Sequence, residues 1–351
     1  MTDNLDSMMA EPAARGLDLN GNPLPLYESA PKAVRGHVPL RRPGSVRRTM
    51  SIDIDWPGGQ EAPSRFRGRA RDIMTPIGGG DPLLLAEDIV AGHLERRAIV
   101  DIESSSHRDM ASLVGERAGA HLRSALDRVL HGEKLAGAPI YLVLDDLAGA
   151  SFVCMWGWAR WHPEHMLQAR KAFDMEGVCI GFRPGSKALI PRHDGEGMFK
   201  SNSSQVVSLV HPADPAGWHE LPADEQKPHF RRARMIDIWR EDGLIHVESI
   251  FQDSSSMPDS DLREAIHEYS LYATADIATG TLLTLNATPG TLPHAECPAA
   301  LANIGILLNT PIAELRNTVL ERLRKTAGCT HLNDMIRSLA EAPVLAGKLP
   351  G

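Results

Sequence analysis

The feature that most constrains this chain is an internal repeat. Arg47-Arg48-Thr49-Met50-Ser51-Ile52-Asp53-Ile54 aligns without a gap on Arg231-Arg232-Ala233-Arg234-Met235-Ile236-Asp237-Ile238, at an offset of 184 residues (231 − 47). Both segments alternate polar and apolar residues, the period of a strand with one buried face. Each is followed by a second strand candidate, Phe66 to Met74 and Leu244 to Asp253, that ends on an aspartate, Asp72 or Asp253. A hairpin comes next in each half. In the first half it is Leu83–Val90 with Arg97–Ile102. In the second it is Ala265–Ala275 with Thr281–Leu285, turning through Ala278-Thr279-Gly280, where glycine suits a positive φ. Helical spacing then recurs in Leu122, Leu126, Val129 and Leu130 and again in Leu315, Val319, Arg322 and Leu323, the latter with Thr310 as N-cap and Pro311 in the first turn. The segments Leu142 to Leu147 and His331 to Ile336 close the two halves.

Four antiparallel strands followed by helix, twice over, predict an α+β fold of two tandem antiparallel-sheet-plus-helix units related by a pseudo-twofold duplication. The boundaries read as an extended N-terminal arm over 1–40, a first unit over 41–154, a functional linker over 155–228 and a second unit over 229–351. The arm is poor in periodicity and rich in Pro, Gly and Asn, which suits wrapping on a partner subunit, and a homodimer is the expected assembly. A linker of that length is more often functional than idle. The ligand site is expected where the two units meet.

The net charge of −8 over 351 residues argues against nucleic acid as the partner, because phosphate binding needs a basic surface. The short basic run Arg41, Arg42, Arg47, Arg48 reads as the entry to a strand. No apolar run approaches the ~20 residues of a membrane span; Ala138 to Trp158 comes nearest and is broken by Asp145 and Asp146. The N-terminus lacks the apolar core of a signal peptide. Cys154, Cys179, Cys297 and Cys329 include no CxxC pair and read as free thiols of a cytoplasmic protein.

Five places could carry chemistry. In His267-Glu268-Tyr269 the outer two share one face of a strand, so His267 could act as base while Tyr269 binds or protonates an oxygen; the alternative is a cross-strand polar pair. Asp145 and Asp146 sit in an apolar run, where burial raises a carboxyl towards neutrality and fits Asp146 for proton transfer and Asp145 for substrate contact; buried ion pairs, for example with the Arg47-Arg48 strand, are the other reading. The stretch Gly177 to Ser186 matches neither a Walker loop nor the dinucleotide fingerprint, but Arg183 could neutralise a phenolate or carboxylate, with Ser186 beside it. Trp156 and Trp158 could stack on an aromatic substrate or anchor the linker. Cys329-Thr330-His331 offers a thiol and an imidazole with no second ligand pair nearby in sequence, so no metal site is expected, although a Cys–His nucleophile remains open if partners meet it in space. No cofactor motif is present, and none is expected.

The segment Cys329-Thr330-His331-Leu332-Asn333-Asp334, with Glu296-Cys297-Pro298-Ala299, His267-Glu268-Tyr269 and the arginine-rich start at Arg231, resembles the family catalogued as domain of unknown function 2889, most clearly over 229–345. The first half, through Gly115–Arg123 and Leu142 to Ala150, resembles the N-terminal region of longer members. Those members are similar to proteins encoded among aromatic- and steroid-degradation enzymes of soil bacteria, and some resemble cofactor-independent lyases that release formaldehyde from lignin-derived aromatic dimers. The resemblance implies a small aromatic substrate and a retro-aldol-like carbon–carbon cleavage in aromatic catabolism. Two rivals stand beside this lyase: a non-catalytic aromatic-ligand-binding or scaffold protein, and an acyl-thioester hydratase or hydrolase, the latter by analogy of fold.

Overall fold

The computed structural model describes residues 12–32, 36–106, 109–163, 175–189, 202–223 and 226–350, so parts of the 1–40 arm and of the 155–228 connection lie outside the described residues. The fold is α+β, built on one antiparallel sheet. Its first four strands are β1 (Ser45–Asp55), β2 (Ser64–Thr75), β3 (Leu83–Glu95) and β4 (Ala98–Ser104). The later ones are β5 (Ser204–Val206), β6 (His229–Glu241), β7 (Leu244–Met257), β8 (Ser260–Asp276) and β9 (Leu282–Pro289). The order runs β4-β3-β2-β1-β6-β7-β8, and β5 and β9 both pair along β8. The sheet is therefore continuous across the two halves, joined where β1 pairs antiparallel with β6.

The helices are α1 (Leu122–Val129), α2 (His131–Leu135), α3 (Pro139–Val153), α4 (Met155–Trp161), α5 (Leu315–Arg322), α6 (Thr330–Ser338) and α7 (Ala342–Ala346). They cover one face of the sheet. Helix α3 is buried on nearly every side, as expected for a core helix, and lies over β1, β2 and β3. The other face of the central strands is covered by the segment 202–223, whose Leu209 and Trp218 pack with Val38 against Ala233, Met235 and Ile250. This second cover corrects the expectation of half-buried strands: β1 is buried at all of its positions, as is β6 up to Trp239.

Burial on both faces leaves Arg47, Arg48, Arg231, Arg232 and Arg234 almost no access to water, so each must find a charge within the fold. Arg48 binds Asp72, directly opposite on β2, through Nε and Nη2 at 2.6 and 2.7 Å. Arg232 binds Asp253, directly opposite on β7, in the same manner at 2.8 and 2.9 Å. On the other face Arg47 pairs with Asp237 and Arg231 with Asp53. These pairs account for the arginines and aspartates among the polar positions of the repeated strands, while Thr49 and Ser51 meet His219.

One local expectation needs correction. Thr310 does not cap the helix that follows, because its hydroxyl donates to the Leu307 carbonyl at 2.6 Å and a 3-10 turn over Ile312–Glu314 precedes α5. The described part of the N-terminal arm packs on its own chain: the Leu19 N–H donates to Asn303 Oδ1 at 2.8 Å, and Leu24 is buried. No single helix among the described residues is long and apolar enough to cross a membrane; α3 and α4, the bent apolar pair, are instead packed on the sheet. All four cysteines are free and buried.

Candidate functional site

The cross-strand register of β7 and β8 sets Asp253 directly opposite His267. Just past this pair the register shifts, because Ser254 opposes Ala265 and leaves Ile266 unpaired. A bulge of this kind re-aims the side chains beside it. His267 and Tyr269 do share the face under the helices, while Glu268 turns to the opposite face and accepts from Gln252 Nε2 at 3.0 Å. The first turn of α6 delivers a third group to the same place. His331 lies with its ring stacked on that of His267, centroids 3.5 Å apart at an interplanar angle of 20°.

The three side chains converge on one oxygen. His267 Nδ1 is 3.2 Å from Asp253 Oδ2, and His331 Nε2 is 3.6 Å from the same atom. Asp253 is fully buried, and burial alone would raise its carboxyl; Arg232 and the hydrogen bond with His267 outweigh that and hold it well below the usual carboxylate range. Burial lowers both imidazoles, against the pull of Asp253, and at His331 the neighbouring His267 ring lowers it further. The centre is thus an ionised carboxylate beside two neutral imidazoles. One nitrogen from each ring and one carboxylate oxygen lie within 4.8 Å of one another, a spacing that could hold a metal ion.

Beside this cluster lies a group of thiols. The Tyr269 hydroxyl donates to Cys329 Sγ at 3.6 Å, and Cys329 Sγ is 3.9 Å from His331 Nδ1. Gly181 approaches so closely that a Cβ there would lie 2.9 Å from Cys297 Sγ and 3.7 Å from Cys179 Sγ. Burial pushes the thiols up, Cys179 to about 12, so they are protonated and poor nucleophiles. Burial likewise raises Tyr269 well above its ordinary value, which suits a hydrogen-bond donor and not a base. The Cys–His nucleophile left open by Cys329-Thr330-His331 has no thiolate to offer here.

The loop that carries Arg183 is docked against the same region, since the Ile180 N–H donates to the Gly328 carbonyl at 2.9 Å, just before Cys329. Arg183 Nη1 is buried and has no hydrogen-bond partner among the described residues. Ser186 shapes the loop, its hydroxyl donating to the Gly181 carbonyl at 2.6 Å and accepting from the Ala188 N–H.

The remaining expected residues have other partners, although Asp146 lies 4.0 Å from Arg232 Nη1. Asp146 is clasped by Arg234 through Nε and Nη2 at 2.9 and 2.6 Å. Asp145 accepts from Arg123, Arg316 and Arg337 at 3.1, 2.6 and 3.1 Å. Burial would raise Asp145, but Arg337, Arg316 and Arg123 together hold it well below the ordinary range, whereas burial does raise Asp146 against the pull of Arg234 and Arg232. The two aspartates therefore serve the ion network under the helices, with partners on β6, α1, α5 and α6 rather than in the Arg47-Arg48 strand. Trp156 and Trp158 also make contacts within the chain: Arg160 lies over the Trp156 ring, and Trp158 meets Trp56 edge-on and stacks on His162. A cavity of about 530 Å³ opens on the opposite face of the sheet, lined by Trp218, His219, Arg231, Gln252 and Arg263 among others. None of the candidate catalytic or substrate-binding residues expected from the sequence lines it.

Arg232, Asp253 and the spatial role of His331 escaped the sequence reading. The one available signal was that an aspartate ends the second strand of each half, opposite an arginine of the first.

Residues 229–345 match the model of the family described as "Protein of unknown function (DUF2889)", a stretch that contains Arg232, Asp253, His267 and His331 and leaves out Arg183. No curated protein and no solved structure matches the chain.

Proposed function

Taking residues 229–345 as a domain of that family, we propose that this protein is a carbon–carbon lyase for a small aromatic compound, with His267 as its general base. The observation that carries this reading is the line Arg232–Asp253–His267. A buried carboxylate, fixed by a two-point guanidinium contact, faces Nδ1 of an imidazole. That is the arrangement in which a carboxylate orients a histidine and stabilises the imidazolium formed on proton transfer. With Nδ1–H given to Asp253, Nε2 is left as the proton acceptor.

The reaction follows in balanced form. The substrate hydroxyl gives its proton to His267, and the adjacent carbon–carbon bond breaks. The hydroxyl carbon leaves as a carbonyl compound, formaldehyde where that carbon is a terminal CH₂OH group. The bonding electron pair passes into the aryl-conjugated fragment, which regains a proton from the imidazolium. Arg183, whose Nη1 is buried without a hydrogen-bond partner among the described residues, pairs with a phenolate or carboxylate of the substrate. Tyr269 supports the site through Cys329.

The duplication belongs to the same reading. It is supported by the order β4-β3-β2-β1 meeting β6-β7-β8 at an antiparallel β1/β6 seam, and by ion pairs at matched positions: Arg47–Asp237 with Arg231–Asp53, and Arg48–Asp72 with Arg232–Asp253. In the first half the Arg48–Asp72 pair is completed by Lys348 and Glu341, with no histidine. One copy keeps a structural pair and the other carries the histidines.

Incubating the purified protein with lignin-derived aromatic dimers bearing a primary alcohol, and measuring formaldehyde, tests the reading. Release that disappears in His267→Ala is the expected result. Tight binding of the dimers without product would favour a non-catalytic binder, and hydrolysis of acyl-thioesters would replace the lyase by a different enzyme class.

A further inference from the structure

We propose that Asp253, His267 and His331 bind one divalent first-row transition metal ion, of which zinc is the natural probe, and that occupancy by the ion excludes the use of His267 as a base. The first half of this statement stands on geometry alone; the second rests on the lyase reading.

The residues come from three separate places in the chain, two facing strands and a helix N-terminus, and their donor atoms meet within 4.8 Å. The distances to the carboxylate oxygen are those of a coordination shell, and the two rings, stacked at 20°, must turn apart on binding to aim their in-plane lone pairs at one ion. With metal–nitrogen and metal–oxygen bonds of ~2.0–2.2 Å, the edge of a tetrahedral site is about 3.3–3.6 Å, and the observed distances to Asp253 Oδ2 are 3.2 and 3.6 Å. At 3.6 Å the His331 nitrogen is too far for a hydrogen bond, so a direct polar contact does not account for its approach to the carboxylate.

Asp253 has acceptor capacity left. A carboxylate offers about four lone-pair directions, and Arg232 takes one on each oxygen. The Arg232 charge opposes a second cation, but Asp334 and Asp146 share it at 3.6 and 4.0 Å. Arg232 thus acts as the outer partner that fixes the direction of the carboxylate. Two imidazoles and one carboxylate suit zinc, iron, nickel or cobalt better than magnesium or calcium, which prefer oxygen-only shells. Three protein ligands leave at least one position for water or an oxygen of the substrate. His331, whose side chain is 12% exposed against none for Asp253, marks the side from which an ion enters.

Exclusion follows from the atoms involved. The ion would take His267 Nδ1 and Asp253 Oδ2, the two atoms whose contact orients the base.

The test uses the full chain, stripped with a chelator and titrated with Zn²⁺ by calorimetry and with Co²⁺ by visible absorption. One ion per chain is expected, with cobalt ligand-field bands of a low-coordinate site, and with affinity at least tenfold weaker in both Asp253→Asn and His331→Gln. The zinc-dependent rise in the wild-type Tm and the cobalt spectrum give readouts that do not depend on either variant folding. Absence of saturable binding, or binding unchanged in both variants, overturns the site. Adding Zn²⁺ to the formaldehyde assay then tests exclusion: loss of turnover at the binding midpoint supports it, and a gain of turnover overturns it. Should no substrate turn over at all, the lyase reading and exclusion fall together, while the direct titrations still decide whether the metal site exists.

Discussion

Arg47 on β1 and Asp237 on β6 form a two-point ion pair across the seam of the sheet, Nε to Oδ1 at 2.7 Å and Nη2 to Oδ2 at 2.6 Å, with both side chains about 1% exposed. The pair ties the two halves of the chain together at the one strand contact they share within the sheet among the described residues. Removing one partner strands the other charge away from water. Arg47→Met is expected to destabilise the protein by about 3–5 kcal/mol, whereas replacing both residues with apolar ones of similar volume should recover most of that loss. Urea denaturation of the single and double variants measures the difference, and equal losses in both would contradict it.

Asp253→Asn keeps the shape of the candidate site but removes the charge that orients His267. If the lyase reading holds, kcat should fall by roughly 10²–10⁴-fold with a much smaller change in KM. His267→Ala should lose turnover to at least the same degree. A variant Asp253→Asn that turns over normally would remove the base assignment.

The segment 202–223 places His219 between Thr49 and Ser51, its ring nitrogens 2.8 and 2.9 Å from their hydroxyls. Burial, aided by Arg69, lowers its pKa from 6.5 to about 3. The unfolded chain therefore takes up a proton below pH 6.5 that the folded chain refuses. His219 contributes no pH dependence above that value, and stability falls as the pH drops from 6.5 towards 3, by at most ~1.4 kcal/mol per pH unit. Between pH 7 and pH 5 the wild type should lose roughly 2 kcal/mol more than His219→Gln. Parallel slopes for the two proteins would show that His219 is not the titrating group.

Gly181→Ala places a methyl group 2.9 Å from Cys297 Sγ, closer than such atoms approach, so the loop carrying Arg183 must shift. A destabilisation of about 1–3 kcal/mol is expected from overpacking, together with a rise in KM for a substrate bearing a phenolate or carboxylate. An unchanged KM in a folded Gly181→Ala protein would separate Arg183 from substrate binding.

All four thiols are buried, and Cys154 is pushed up to about 12 as is Cys179. A disulfide reagent should label none of them rapidly in the folded protein, and all of them on addition of denaturant. Rapid labelling of even one thiol under native conditions would contradict the packing around the site.

The strands other than β5 were legible in the amino-acid sequence because their polar and apolar residues alternate and because the pattern occurs twice. Arg47 and Arg231 each lie near the start of a strand, β1 and β6, and the predicted hairpins coincide with β3/β4 and β8/β9 to within a few residues. The shared face of His267 and Tyr269 follows from the same alternation. Local periodicity does not carry the partners of a charge. Asp145 and Asp146 look alike as neighbours in one apolar helix, yet one faces three arginines from α1, α5 and α6 and the other faces Arg234. In the same way Asp253, His267 and His331 become one site only through the register of β7 on β8 and the docking of the α6 N-terminus on that face. Hydrophobic spacing specifies which side of an element is buried, but which buried charges meet depends on how distant elements pack, and that was decided by the tertiary structure alone.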